Sequence, residues 1–112
     1  MTLITIASKI SDVNSSDVTL TANGTFTGIA ENVAKCQSIL ITINTDQNSA
    51  SSGLSLQFST NGSNWDKIII HSIEGGITFT EWVDVYAKYF RVIYTNGSIS
   101  QTSFRLQTKY GL

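Results

Sequence analysis

Residues able to do acid–base or nucleophilic chemistry are few and scattered in this sequence. The chain has one histidine, His71, and one cysteine, Cys36. A triad-type nucleophile needs a general base beside it, but His71 stands at the end of the apolar run 68–70 with no nucleophile near it in sequence. We interpret His71 as a strand residue that faces solvent or a neighbour. Cys36 is expected to be a small, half-buried apolar residue without a role.

Carboxylates offer two further chemistries. Glu74, Glu81 and Asp84 are the acids close enough in sequence to suggest a glycosidase pair, although outer-face and turn positions are the commoner use of such residues. The segment 46–49 has the oxygen-rich Asp-x-Asn spacing of a calcium loop but no further carboxylate. Zinc sites need more Cys and His than this chain has. The sequence therefore predicts a protein that is not an enzyme and holds no cofactor or metal.

The net charge and the hydropathy of the chain restrict the classes of partner that it can bind. The net charge is −1 from 7 basic and 8 acidic residues, and neither sign forms a run. Such a chain has no electrostatic field that would gather nucleic acid. No apolar stretch approaches the ~20 residues that cross a bilayer. We expect neither nucleic acid nor membrane as a partner.

The elements that must position these residues are strands. Apolar and polar residues alternate with a period of two, most clearly in 39–43, 54–58, 90–94 and 104–107. Turn signals separate the alternating segments, among them Asn23-Gly24, Asn61-Gly62, Gly75-Gly76 and Asn96-Gly97.

This pattern predicts an all-β fold: a single antiparallel β-sandwich over 1–112, jelly-roll-like, with about eight strands. The predicted strands are 2–10, 17–21, 25–29, 38–45, 53–60, 67–73, 77–85 and 88–109, the last divided at Asn96-Gly97.

The two halves of the last segment predict a hairpin around Asn96-Gly97. Five alternate residues of that hairpin should share one buried face with apolar residues of the middle strands. The predicted core is Phe90, Val92, Tyr94, Phe104, Leu106, Ile39, Ile41, Ile43, Leu54, Leu56, Phe58 and Phe79.

Aromatic and arginine residues are the candidates for ligand or interface contact. An exposed ring can stack on a sugar, and Trp65, Trp82 and Tyr86 stand near predicted turns or strand ends. Each could equally cover the core. Arg91 and Arg105 should point outward from the last two strands, where they could contact a partner or be solvated.

The N-terminal segment alternates as well, with Leu3, Ile4, Ile6 and Ile10. Residues 1–16 form either an edge strand of the same chain or an arm that docks on a neighbour, and the arm is the favoured hypothesis. The complete absence of proline suggests that sheet edges are covered by neighbouring chains, because proline is one device that blunts edges. The N-terminus has no basic region before an apolar core, so no signal peptide is predicted.

Three segments carry a resemblance to a known class of proteins. They are 54–66 (LSLQFSTNGSNWD), 87–98 (AKYFRVIYTNGS) and 101–108 (QTSFRLQT). Together they resemble β-sandwich modules in virion proteins of tailed phages and large DNA viruses, over roughly residues 38–109. Asn61 departs from the aspartate often found at that turn, and the N-terminal region has no match.

The resemblance implies a structural protein of a virus particle, such as a head decoration or cement protein, a fibre module or a tail-surface domain. Such a subunit would contact copies of itself, for example as a trimer, and other virion proteins. It would be made in the host cytoplasm and would lie at the particle surface. The competing hypothesis is a carbohydrate-binding module that attaches to a host glycan.

Overall fold

The computed structural model describes residues 8–112, which form nine β-strands. They are β1 (Ser8–Ile10), β2 (Thr25–Thr27), β3 (Glu31–Asn32), β4 (Ser38–Thr45), β5 (Ser49–Ser59), β6 (Trp65–His71), β7 (Phe79–Val83), β8 (Tyr89–Asn96) and β9 (Phe104–Gly111). All strand pairs are antiparallel.

The strands form two sheets. One has the order β1-β9-β4-β7; the other has β2-β8-β5-β6, with β3 also paired to β8. Because β2 and β3 pair with successive parts of β8, they act as one interrupted edge strand. The predicted all-β antiparallel sandwich is confirmed, and most connections pass from one sheet to the other.

The core lies between the two sheets and follows from the alternation. In β4 and in β8, every second side chain is buried. Eleven of the predicted core residues are buried, and Phe79 is half-buried against them. The core also contains residues outside the prediction: Val33, Ile73, Val83 and Tyr110.

The predicted hairpin between the last two strands is wrong. β8 pairs with β5, whereas β9 pairs with β4 in the other sheet. Tyr94 and Phe104 nevertheless contact each other, with ring centroids 4.9 Å apart, because they face one another across the core. The Asn96-Gly97 segment is a crossing between sheets. The buried Asn96 amide stabilises it by donating to the carbonyls of Thr21 and Ile99.

Residues 17–21 are not in a strand. The adjacent chain reaches the sandwich through Ser16, which forms a bridge with Leu106, and through Asn14, which is fully buried. The Asn14 side-chain oxygen accepts the Val92 N–H where the edge strand is interrupted, and its amide donates to the Ile29 carbonyl. This polar contact takes the place of a backbone hydrogen bond between neighbouring strands.

Candidate binding surfaces

The two sheets meet at the edge formed by β6 and β7 through a contact between a histidine and a glutamate, which is an ion pair when the histidine is protonated. His71 Nε2 lies 2.5 Å from Glu81 Oε2, and the imidazole also packs on Phe79 with ring centroids 5.2 Å apart. Both residues are on the inward face of their strands, since His71 is opposite Leu54 and Glu81 is opposite Ile41. The histidine expected to face solvent or a neighbour therefore contacts an acid of the other sheet.

A second inward charge lies on the same edge. Lys67 is opposite Phe58, and its ammonium group lies 4.6 Å from the centre of the Tyr86 ring, which in turn packs edge-on against Phe58. Inward-pointing charges on edge strands oppose pairing with another chain, because pairing would bury them. Inward-pointing charges, rather than proline, therefore disfavour pairing of this edge with a strand of another chain.

At the edge of the sandwich opposite β6 and β7, Glu31 of β3 links the two sheets. Its carboxylate accepts hydrogen bonds from Ser11, from the Asn14 amide at 2.8 Å and from the Tyr110 hydroxyl at 2.7 Å. Burial raises the pKa of Glu31, but these three bonds and the charge of Lys9 together lower it below the ordinary 4.5. Burial and this carboxylate raise the pKa of Tyr110. The network is a structural link between the sheets.

Cys36 and Asp46 show no arrangement for chemistry. Burial, and then the charge of Glu31, raise the pKa of the Cys36 thiol, so it is a poorer nucleophile.

Asp46 accepts hydrogen bonds from the backbone of Thr102 and Ser103, which hold its pKa well below 3.8. The Asn48 side-chain oxygen accepts the Gly75 N–H. The segment 46–49 is thus engaged in loop-to-loop contacts, and residues 8–112 hold no His, Cys, Asp and Glu cluster suited to a metal.

The outer face of the five-stranded sheet brings Trp65 and Arg91 together. The Arg91 guanidinium lies 4.2 Å from the Trp65 ring centre and donates from Nε to Gln57 at 2.8 Å. Beside this pair, Ile68 and Ile70 of β6 are 50% and 55% exposed. We call Trp65, Ile68, Ile70 and Arg91 the β6 face.

The outer face of the four-stranded sheet carries Trp82, which is 67% exposed. Trp82 is opposite Leu40 on β4, Leu40 is opposite Lys109 on β9, and Lys109 is opposite Ile10 on β1. These four residues form one row across the sheet. A shallow depression lined by Ser8, Ser38, Trp82, Lys109 and Gly111 adjoins a second one that runs along β9 and β4.

The remaining predicted residues lie apart. Arg105 is on the outer face of the four-stranded sheet, opposite Asn44, whereas Arg91 is on the outer face of the other sheet, opposite Gln57. Tyr86 is half-exposed at the β6–β7 edge.

In the N-terminal segment, Ile10 is 49% exposed in β1, which is paired to β9 of its own chain. Leu3, Ile4 and Ile6 lie outside the described residues.

Sequence reasoning missed two features of these surfaces. Lys109 was not singled out, although alternation along 104–110 puts it on the outer face. The contact between His71 and Glu81 had no signal in the sequence, because the two residues belong to different sheets.

Among residues 8–112, no helix is long and apolar enough to span a bilayer.

Comparison with known structures bears on the fold. The crystal structure of PBSX exported protein XepA matches with a TM-score of 0.80 at 18% identity, covering 99% of this chain and 40% of that one. A structure from work on Bacillus endospore appendages, a family of disulfide-linked pili, matches with a TM-score of 0.50 at 17% identity, covering 96% of this chain and 89% of that one. The chain thus spans less than half of the XepA chain that it matches.

Comparison of sequences gives the family. No curated protein shows significant similarity to the chain. The family model for the N-terminal domain of YqxG, an uncharacterised protein, matches residues 4–111. The chain therefore belongs to the YqxG N-terminal domain family.

Proposed function

We propose that this domain is a non-catalytic structural module of a phage-related particle or exported protein, and that it acts by protein–protein contacts, foremost with copies of itself. A capsid decoration, cement or fibre-type component of the virion surface is the specific form that we favour. A homo-oligomer, such as a trimer, would be its working state.

The similar structures support this class of function. One is named as a PBSX exported protein, and the other comes from work on endospore appendages that form a family of pili. Pili are assemblies of repeated subunits. At this level of identity the likeness extends to the fold, so the role in this chain is our inference.

The β6 face is the observation that carries the proposal. Two isoleucines there are half-exposed side by side, and the Arg91 guanidinium is already held by Trp65 and Gln57. Tryptophan and arginine are enriched where interfaces are strongest, and a pre-ordered side chain loses less entropy on binding. Inward charges disfavour strand-to-strand pairing at this edge, so contact through the face is the route we expect.

Light scattering on the purified chain tests the proposal. The wild type should be oligomeric, and Ile68→Asp with Ile70→Asp should be monomeric, because a new charge would be buried in the contact. Ile77→Asp with Ile99→Asp is the matched control, since those isoleucines are 57% and 61% exposed elsewhere. A monomeric wild type, or an unchanged mass in the first variant with β-sheet circular dichroism intact, would reject self-association through this face.

Carbohydrate binding is the second candidate, and Trp82 favours it. A ring that is 67% exposed on a flat sheet, with serine hydroxyls in the adjoining depression, offers a stacking surface and polar partners for a sugar. Trp82→Ala should abolish binding to a glycan array while leaving the oligomer mass unchanged. Retained glycan binding in this variant would exclude the site.

A further inference from the structure

We infer that the row around Trp82 selects an anionic carbohydrate chain, with Trp82 as the stacking platform and Lys109 as the partner of the acidic group. This inference rests on the carbohydrate-binding candidate above and is independent of self-association through the β6 face. It names the chemical class of ligand that this face of the sheet fits.

The spacing of the two residues suits a short stretch of sugar chain. Trp82 and Lys109 lie on strands that flank β4, both opposite Leu40. Two inter-strand spacings separate them, so their Cα atoms are about 10 Å apart. That is comparable to the length of a disaccharide. One sugar on the Trp82 ring would therefore place a substituent of its neighbour near the Lys109 ammonium group.

The groups between and beside them match a glycan. Both residues line the same depression together with Ser8 and Ser38, whose hydroxyl groups can donate to or accept from sugar hydroxyls. Leu40, which is half-buried, provides an apolar floor between them. The neighbouring depression adds Thr42 and Gln107. A row of this kind offers ring stacking, hydroxyl partners and one charge.

The charge on this face has one sign. The outward positions of β1, β4, β7 and β9 include Lys109 and Arg105 but no carboxylate. Lys109 is exposed and makes no ion pair within residues 8–112. An exposed cation without a local partner attracts an acidic ligand, and the attraction weakens with salt.

Acids near the row lie outside it. Asp12 and Asp17 line a different depression with Arg105 at the far end of β9, which is why we assign the charge recognition to Lys109 alone. On the side towards β6, Trp82 borders a gap that contains Glu81 and Asp84. Glu81 is paired with His71. Asp84 is exposed and should repel an acidic sugar that extends in that direction.

The ligand class follows from the small number of charges. A nucleic acid would need several cations along its phosphates, and this row has one. An acidic peptide would satisfy Lys109 but would gain little from a flat, exposed ring flanked by hydroxyl groups. A glycan with an acidic group on the sugar next to the stacked one fits both features.

Calorimetric titration of the full chain with hexagalacturonate and with neutral maltohexaose tests the inference. The wild type should bind hexagalacturonate more tightly, by about two- to fivefold, as expected for one exposed charge contact. Lys109→Ala should remove this preference, and Trp82→Ala should remove binding of both glycans. Lys88→Ala, at an exposed lysine whose ammonium group lies over Tyr89 of the other sheet, is the control and should change neither titration.

Each other outcome overturns the inference in a distinguishable way. Equal affinity for both glycans, lost in Trp82→Ala, would leave the carbohydrate candidate standing and reject charge selection. No binding of either glycan would reject both. Tighter binding of hexaglutamate than of hexagalacturonate would replace the glycan with an acidic peptide. Light scattering on the same variants reports separately on self-association, which none of them should alter.

Discussion

His71 of β6 and Glu81 of β7 contact each other between the two sheets of the sandwich, with 2.5 Å between Nε2 and Oε2, and form an ion pair when the histidine is protonated. The residues are on strands that do not hydrogen-bond to each other. The pair thus closes an open edge with side chains. Its partial exposure limits its energy, because solvent and salt screen such pairs.

A double-mutant cycle measures that contribution. His71→Ala and Glu81→Ala should show a coupling free energy of roughly 0.5 kcal/mol at low salt, falling towards zero at high salt. Urea unfolding of the four proteins gives the value. A coupling that does not change with salt would contradict an electrostatic origin.

Acid should destabilise the fold through Glu31 and Asp46. The folded-state pKa of each carboxyl lies below its ordinary value, 4.5 for Glu31 and 3.8 for Asp46. Their stabilisation is therefore fully present above those values and is lost as the pH falls through the folded-state values. The free energy of unfolding should drop below about pH 4.5, and less steeply in Glu31→Gln with Asp46→Asn. Equal slopes for the two proteins between pH 5 and pH 2.5 would refute this assignment.

Asn14→Ala should be strongly destabilising. The change removes the acceptor of the buried Val92 N–H and the amide that donates to Ile29 and Glu31. An unsatisfied buried donor costs roughly 1–3 kcal/mol, so a loss of about 3 kcal/mol in the free energy of unfolding is expected. Asn64→Ala, in an exposed turn, is the comparison and should cost little. Similar midpoints for both variants in urea would show that the Asn14 contacts are dispensable.

Deleting residues 1–13 should lower stability, whatever the role of residues 1–7. The deletion removes β1 from the edge of β9 and also Ser11, whose backbone N–H bonds to Thr108 and whose hydroxyl bonds to Glu31. Thermal unfolding should move to lower temperature, and light scattering on the same sample tests the predicted docking arm. An unchanged oligomer mass would count against an arm, while an unchanged melting temperature would show that β1 contributes nothing.

Asp84→Asn should strengthen binding of hexagalacturonate. Asp84 lies in the gap beside Trp82, and removing its negative charge removes a repulsion from an acidic ligand. An increase in affinity of about twofold at low salt is expected, with no change for maltohexaose. Asp66→Asn, which alters an exposed acid outside the row, is the control. Weaker binding in Asp84→Asn would mean that this carboxylate contacts the sugar directly.

Local pattern was enough to predict which residues are buried. In β4, β8 and β9, a period of two assigns each side chain to one of two faces, and the buried members are those that alternation selects. The same rule puts Arg91 on an outer face. Burial in a strand depends on which side of the chain is apolar, and that is a property of neighbouring residues.

Tertiary structure alone decided which strands pair and which side chains meet. The Asn96-Gly97 signal is compatible with a hairpin, but the chain crosses there to the other sheet, and Tyr94 faces Phe104 across the core. The pairs His71 with Glu81, Trp65 with Arg91, and Trp82 with Lys109 depend on the order of strands in each sheet. Strand order is set by how two apolar faces cover each other over the whole chain, because a strand's own residues specify what it buries but not which strand lies beside it.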